Sequence, residues 1–279
     1  MVTRWNSTYE MLQRILDVKN SLMSMIAIHY PELHNITNED IILIEQICDL
    51  LKVFKDCTEE MSSEKQVTLS KVILLQQALK KWCTKEQNKA DIKDQVRAMA
   101  GNLLETLEKR FKGIEEHLIF SQATLLDPRL KKQGFSEARY FERAKQSLIA
   151  HCQKFHPTAP TTNPESTATI QKSSIWDEFD QSVKELVTLP NPKVAAIVEV
   201  DKYIQEPLLP RKENPLVWWS ERRQIYPSLF ALVKSRLPIV ATSVPCERIF
   251  SKAGQTITER RNRLSGKRVE QILFLNANL

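Results

Sequence analysis

The sequence predicts a mainly α protein, a helical bundle followed by a shorter set of C-terminal helices. Three observations predict it. Three long segments carry apolar residues at three- and four-residue steps, the period of an amphipathic helix. Only five glycines occur in 279 residues, too few for a sheet-rich fold with many tight turns and for a Gly-rich phosphate loop. Composition is that of an ordinary globular chain, 42% hydrophobic and 27% charged, with ample length for a core.

The first periodic segment starts at Asn38, with Thr37 or Asn38 as cap, and runs through Ile44, Ile47, Leu51, Phe54 and Met61. The second, Leu69 to Cys83, uses Leu69, Val72, Ile73, Leu75, Leu79 and Trp82. The third is the most regular: Ile92, Val96, Met99, Leu103, Leu107, Phe111 and Ile114. Stripes of this kind bury against one another as a bundle, and core packing is preferred here to a cofactor groove. After Leu125-Leu126-Asp127-Pro128-Arg129 another helical stretch runs to about Gln153.

Composition then changes. Residues 156–174 hold three prolines, five threonines and one large apolar residue, Ile170. Such a segment buries too little surface to offset chain entropy and reads as a linker. Ordered sequence resumes beyond Pro192. The expected division is a helical domain over 1–155, a linker over 156–192 and a C-terminal region over 193–279. Within that region helices are expected at Val194 to Ile204, after Asn214-Pro215, from Pro227 to Leu237, and around Glu247 with a stop near Gly254. A last helix, Lys267 to Asn276, buries Val269, Ile272 and Leu273. Short β elements are allowed near 238–242 and 255–258.

Several classes of function are disfavoured. No run approaches the roughly 18 apolar residues of a membrane span, and the N-terminus lacks a signal-peptide core. The five scattered cysteines read as reduced, mostly buried thiols of an intracellular protein. His151, Cys152 and His156 are three ligand types close together, but no Cys-x-x-Cys pair exists and a structural zinc wants four ligands. No metal site is expected, and no nucleophile elbow is discernible.

Charge is concentrated. From Glu247 to Arg268 there are seven Lys or Arg (Arg248, Lys252, Arg260, Arg261, Arg263, Lys267, Arg268) against two acids, so most of the chain's net +6 lies in this stretch. A solvated face and a surface that meets phosphate or an acidic partner are both open readings. The C-terminal third is also aromatic-rich, with Trp218, Trp219, Tyr226, Phe230 and Phe250. Adjacent tryptophans on a helix point about 100° apart, so one can enter a core while the other faces a partner.

Five quoted segments carry a resemblance: TRWNSTYEMLQR at 3–14, LLDPRLK at 125–131, PLVWWSERRQIYPSLFALV at 215–233, SVPCERIFSKAG followed by TERRNRL at 243–264, and VEQILFLNANL at the end. In this order the sequence resembles the C-terminal part of hAT-superfamily transposases and their BED-zinc-finger relatives. The resemblance implies a helical insertion-type domain followed by the C-terminal helices of an RNase-H-like fold whose β-sheet is largely missing. It makes the C-terminal third a dimerisation segment, with Trp218, Trp219, Phe230, Phe250, Ile272, Leu273, Phe274 and Leu275 as its candidate residues.

Glu247 matches the last acid of the family's Asp-Asp-Glu metal-binding set. The two aspartates of that set lie upstream of Arg4-Trp5, where this sequence has almost nothing, and Asp17, Asp40, Asp49 and Asp127 match neither position. Two metal ions need several carboxylates. The resemblance therefore implies a vestigial Glu247, no enzyme activity and no cofactor, Mg or Mn entering only if the missing sheet is supplied. An acid in a first helical turn also has a purely structural use against the helix dipole. Trp5 is either a helix anchor or, as in the family, a base-stacking residue.

The expected function is a non-catalytic, self-associating module in the nucleus. Weak sequence-independent DNA binding is expected through Arg4, Trp5, Arg260, Arg261, Arg263, Lys267 and Arg268, with neither a membrane nor a small-molecule partner. The alternatives are part of an active hAT transposase or of a BED-finger transcriptional regulator; the finger itself is absent.

Overall fold

The computed structural model describes residues 5–155, 191–256 and 264–278, and among these there are helices and turns but no strand. The chain divides into two compact units, Met1–Ile114 together with Ile239–Leu279, and Glu115–Pro238. This is not the division at 155 and 193 expected from composition. The helices after the compositional break pack with those just before it, because each half holds only part of one core. Residues 156–190 of the expected linker lie outside the described residues, and Asn191 and Pro192 are the cap and first residue of a helix.

The first unit holds α1 (Trp5–His29), α2 (Asn38–Met61), α3 (Val72–Gln87) and α4 (Asp94–Arg110), with α10 (Val244–Thr256) and α11 (Gly266–Asn278) from the chain's end. Thr37 starts α2 through a reciprocal capping box: its hydroxyl accepts from the Asp40 N–H at 3.1 Å, and the Asp40 carboxylate accepts from the Thr37 N–H at 2.9 Å. The Thr37 hydroxyl also donates to the Asp40 carboxylate at 2.7 Å, and this bond foremost, with the one from the Thr37 N–H, holds the Asp40 carboxyl below its ordinary range.

The periodic stripes become the core. Leu50 of α2 meets Ile92, Val96 and Ala100, and Cys57 meets Leu79, Cys83 and Leu107. The α3–α4 connection is pinned at both ends. Gln46 donates to the Asp91 carbonyl (2.9 Å) and accepts from the Lys93 N–H (2.8 Å). Arg97 donates to the carbonyls of Gln87 (2.6 Å) and Lys89 (3.1 Å), which are left over where α3 ends.

The second unit holds α5 (Leu118–Leu126), α6 (Ala138–Cys152), α7 (Pro192–Gln205), α8 (Pro215–Glu221) and α9 (Pro227–Arg236). Asn191 and Asn214 cap α7 and α8 by accepting from the N–H two residues on, each with proline at the first helical position. The centre is an aromatic cluster of Tyr203, Trp218, Trp219 and Tyr226, with ring centroids 4.9–6.4 Å apart. LLDPRLK wraps around it. The last carbonyls of α5, on Leu125 and Leu126, accept from the Tyr203 hydroxyl (2.9 Å) and the Trp219 indole N–H (2.8 Å). Asp127 is fully buried and holds the Arg129 guanidinium in a two-point bridge at 2.9 and 2.6 Å. The Pro128 carbonyl accepts from the Leu209 N–H at 2.9 Å.

Several expectations are corrected. Both Trp218 and Trp219 are buried, so neither faces outward from the second unit. The 100° between them is absorbed because Tyr203 and Tyr226 pack on both rings. Helix α10 runs through Gly254 to Thr256 rather than stopping there; this glycine has an ordinary backbone conformation, and a helix tolerates one at a cost of about 1 kcal/mol. No strand forms at 238–242, where the Ala241 N–H donates to the Thr68 hydroxyl (3.0 Å) instead of to a ladder. Residues 255–256 are helical, and 257–258 lie outside the described residues. Among the described residues of α11 only Val269 is buried, while Ile272 is 40% exposed. The 25-residue α1 was not among the periodic segments; of its apolar residues with a described environment only Tyr9 is buried.

Candidate self-association surface

Helices α10 and α11 carry an uncovered apolar face. The start of α10 is tied down by polar contacts: Arg248 donates to the Ser62 carbonyl (3.2 Å) and to the Glu64 carboxylate (2.9 Å), beside the Ala241–Thr68 bond. Lys252 then reaches the Asn276 side-chain oxygen at 3.1 Å and joins α10 to α11. Between the two helices lies an open groove of about 540 Å³, walled by Ile249, Phe250 and Ala253 on one side and Val269, Leu273 and Phe274 on the other, with Glu270 and Asn278 among its lining residues.

The groove is apolar and open to solvent. No residue of α10 is buried. Phe250 is 75% exposed, Phe274 66% and Leu275 53%. Covering one such side chain stabilises an assembly by about 1.5–3 kcal/mol, so a contiguous set of them favours a partner.

The candidate residues fall into separate places. Phe250, Ile272, Leu273, Phe274 and Leu275 lie on this helix pair. Trp218, Trp219 and Phe230 belong to the second unit, where Phe230 is half-buried with the Lys234 ammonium over its ring at 5.4 Å. Lys267 and Arg268 are exposed in the first turn of α11. Arg4, Arg260, Arg261 and Arg263 lie outside the described residues, and Trp5 is the first residue of α1. Sequence reasoning missed Ile249 and Ala253. Their spacing from Phe250 marks a helix face, but only the pairing of α10 with α11 shows that it lines a groove.

Glu247 sits in the first turn of α10, where the Ser243 hydroxyl donates to its carboxylate at 3.0 Å and its own N–H donates to the Ser243 carbonyl at 3.0 Å. Among the described residues no group of three His, Cys, Asp or Glu is placed to hold a metal ion. His151 Nδ1 lies 2.8 Å from the Ser147 carbonyl and 3.1 Å from the Gln122 amide, and His156 lies outside the described residues.

Comparison with known proteins shows what the C-terminal helices are similar to. Residues 199–279 match the hAT family C-terminal dimerisation region. This stretch is similar to the hAT dimerisation region. The likeness to hAT transposases and their BED-finger relatives extends along nearly all of the chain. Human zinc finger BED domain-containing protein 4 is 25% identical over 99% of this chain and 24% of its own length. A putative AC transposase of Zea mays is 28% identical over 97% of this chain and 35% of its own. The zinc finger BED domain-containing protein DAYSLEEPER of Arabidopsis thaliana is 24% identical over 97% and 39%. The chain therefore spans about a quarter to two-fifths of the length of these relatives. The dimerisation region begins inside α7 and takes in residues of both units: α8 and α9 from the second, α10 and α11 from the first. No helix among the described residues is long and apolar enough to cross a membrane.

Proposed function

We propose that the chain is a self-associating, non-catalytic module of a nuclear hAT-derived protein, and that two copies meet through the α10–α11 groove. The observation that carries this is the exposed apolar groove lying inside the dimerisation region. Two such helix pairs laid groove to groove bury Phe250 and Phe274 of both copies in a four-helix arrangement, with Lys252 and Glu270 at its rim. The buried Trp218 and Trp219 then act as the core of the second unit and not as interface residues. The resemblance supports reading the helices ahead of the dimerisation region as insertion-type and α10–α11 as the closing helices of an RNase-H-like fold. Glu247 supports α10 electrostatically, as an acid near a helix N-terminus does.

Sedimentation of the full chain against Phe250→Asp with Phe274→Asp tests the proposal. The parent is expected as a dimer at micromolar concentration, and the double variant as a monomer with unchanged helical circular dichroism. A monomeric parent, or a variant that still dimerises, overturns it. A monomeric parent would leave the groove to another segment of a longer chain.

A second reading concerns DNA. Lys267 and Arg268 stand at the positive end of α11, where basic side chains cost about 0.3–1 kcal/mol each. A bound phosphate offsets that cost, which favours contact with a DNA backbone by these two residues together with Arg260, Arg261 and Arg263. Changing those three arginines to Gln should flatten the slope of log K against log salt by about three units if all are engaged. An unchanged slope with a lowered melting temperature would make the stretch structural.

A further inference from the structure

The exposed face of α3 carries a row of cations. Residues 80–93 hold five lysines against two acids. Lys81, Lys85 and Lys89 recur at four-residue steps and are all exposed, so they form one ridge along the end of α3 and just past it. The ridge is organised by Trp82. This ring is half-buried, and its indole N–H donates to the Leu50 carbonyl of α2 at 3.1 Å, which fixes the ring plane. The ammonium groups of Lys85 and Lys89 both sit over that ring, at 5.4 and 5.8 Å from its centroid. Two like charges are thus held over one aromatic face, which lowers the entropy lost when they meet an anion. Among the described residues only one of the three lysines is seen to meet an acid, Lys89 with the buried Glu86 at 2.6 Å.

We infer that the Lys81–Lys85–Lys89 ridge on α3 is a docking surface for the phosphodiester backbone of duplex DNA, separate from the basic stretch near the C-terminus. Successive lysines advance about 6 Å along the helix axis, on the order of two phosphates of a duplex strand at about 3.4 Å each. Duplex is favoured over single strand by the state of the ring. Proteins that grip single strands offer bare aromatic faces for base stacking, and the Trp82 face is already covered by lysine. Contact is through backbone charge alone, so binding is insensitive to sequence and steeply dependent on salt.

The test is fluorescence anisotropy of the full chain with a labelled 20-base-pair duplex, and with one of its single strands, over a range of salt. Changing Lys81, Lys85 and Lys89 together to Gln should reduce the slope of log K against log salt by about 2.7. Because Lys89 partners Glu86, the Lys81→Gln, Lys85→Gln double variant is measured as well; it leaves that pair in place and should reduce the slope by about 1.8. Arginine at all three positions should keep the slope. A control that removes equal charge from the end of α4, Lys109→Gln with Arg110→Gln and Lys112→Gln, should leave it unchanged. The inference is overturned if the double variant melts like the parent and keeps its slope, if the α4 control loses as much, or if the single strand binds more tightly than the duplex. Oligomeric state plays no part in the readout, so a failure here is distinct from a failure of the groove-to-groove dimer.

Discussion

The ammonium of Lys131 lies 2.6 Å from the backbone oxygen of Tyr203 and 4.5 Å from the centroid of the same residue's ring. A second carbonyl, of Glu206, accepts from it at 2.6 Å. Lys131 is 2% exposed and has a left-handed backbone with φ of 43°, unfavourable for a side chain of this size. The strain is held because the lysine closes the C-terminal end of α7 on the LLDPRLK segment, supplying donors to carbonyls at a helix end.

Desolvation pushes the Lys131 ammonium down to about 8 from 10.5, against the pull of the Glu206 carboxylate and with some help from Arg222. Between pH 8 and 10.5 the unfolded chain then holds a proton here that the folded chain has released. The residue's contribution to stability therefore rises with pH through that window and is lost as pH falls through 8. Urea unfolding of the parent and of Lys131→Met at pH 7.5, 9 and 10.5 checks this. The difference between them should move in the parent's favour by up to about 3 kcal/mol across the window. A difference flat with pH would show that Lys131 enters the folded state with its proton equilibrium unchanged.

The thiols should divide four to one. Burial pushes Cys57 and Cys83 up to about 11 and Cys152 up to about 12, and raises Cys48, while Cys246 is exposed. A thiol-reactive chromogen at pH 8 is expected to titrate a single group in the native chain and five after denaturation. Cys246→Ser should abolish the native signal. Since these native pKa values are raised, the stability they contribute is complete below pH 9 and lost as pH climbs through about 11–12.

The caps on α5 should be measurable one at a time. Tyr203→Phe and Trp219→Phe each leave a terminal α5 carbonyl, on Leu125 or Leu126, without its side-chain donor. Tyr203→Phe is expected to cost about 1–3 kcal/mol, as for an unsatisfied buried acceptor. Trp219→Phe should cost more, because it also removes part of a fully buried ring. The double variant should fall short of the sum, since the two rings touch at 4.9 Å. Thermal melts of the three variants decide it, and full additivity would count against a shared cap.

Much of the helical framework was legible from spacing alone. The stripe from Ile92 to Phe111 lies on α4 and its flanks, and Thr37 and Asn214 cap where their side chains and neighbours say they should. The hAT likeness was legible because its motifs are short and in order. Gly254 misled by two residues, since a single glycine in a helix costs only about 1 kcal/mol.

The sequence by itself determined the helices, their polarity and the family to which the C-terminal region is similar, because period, caps and motifs are written in residues close along the chain. Tertiary structure alone decided which tryptophans are core and which apolar residues remain open. Trp218 and Trp219 look like interface residues until Tyr203 and Tyr226 enclose them, whereas Phe250 and Phe274 stay exposed because α10 and α11 pair with each other over a groove that the described residues leave open. Burial depends on contacts between residues distant in sequence, and a linear pattern of polarity does not encode which apolar face finds a partner.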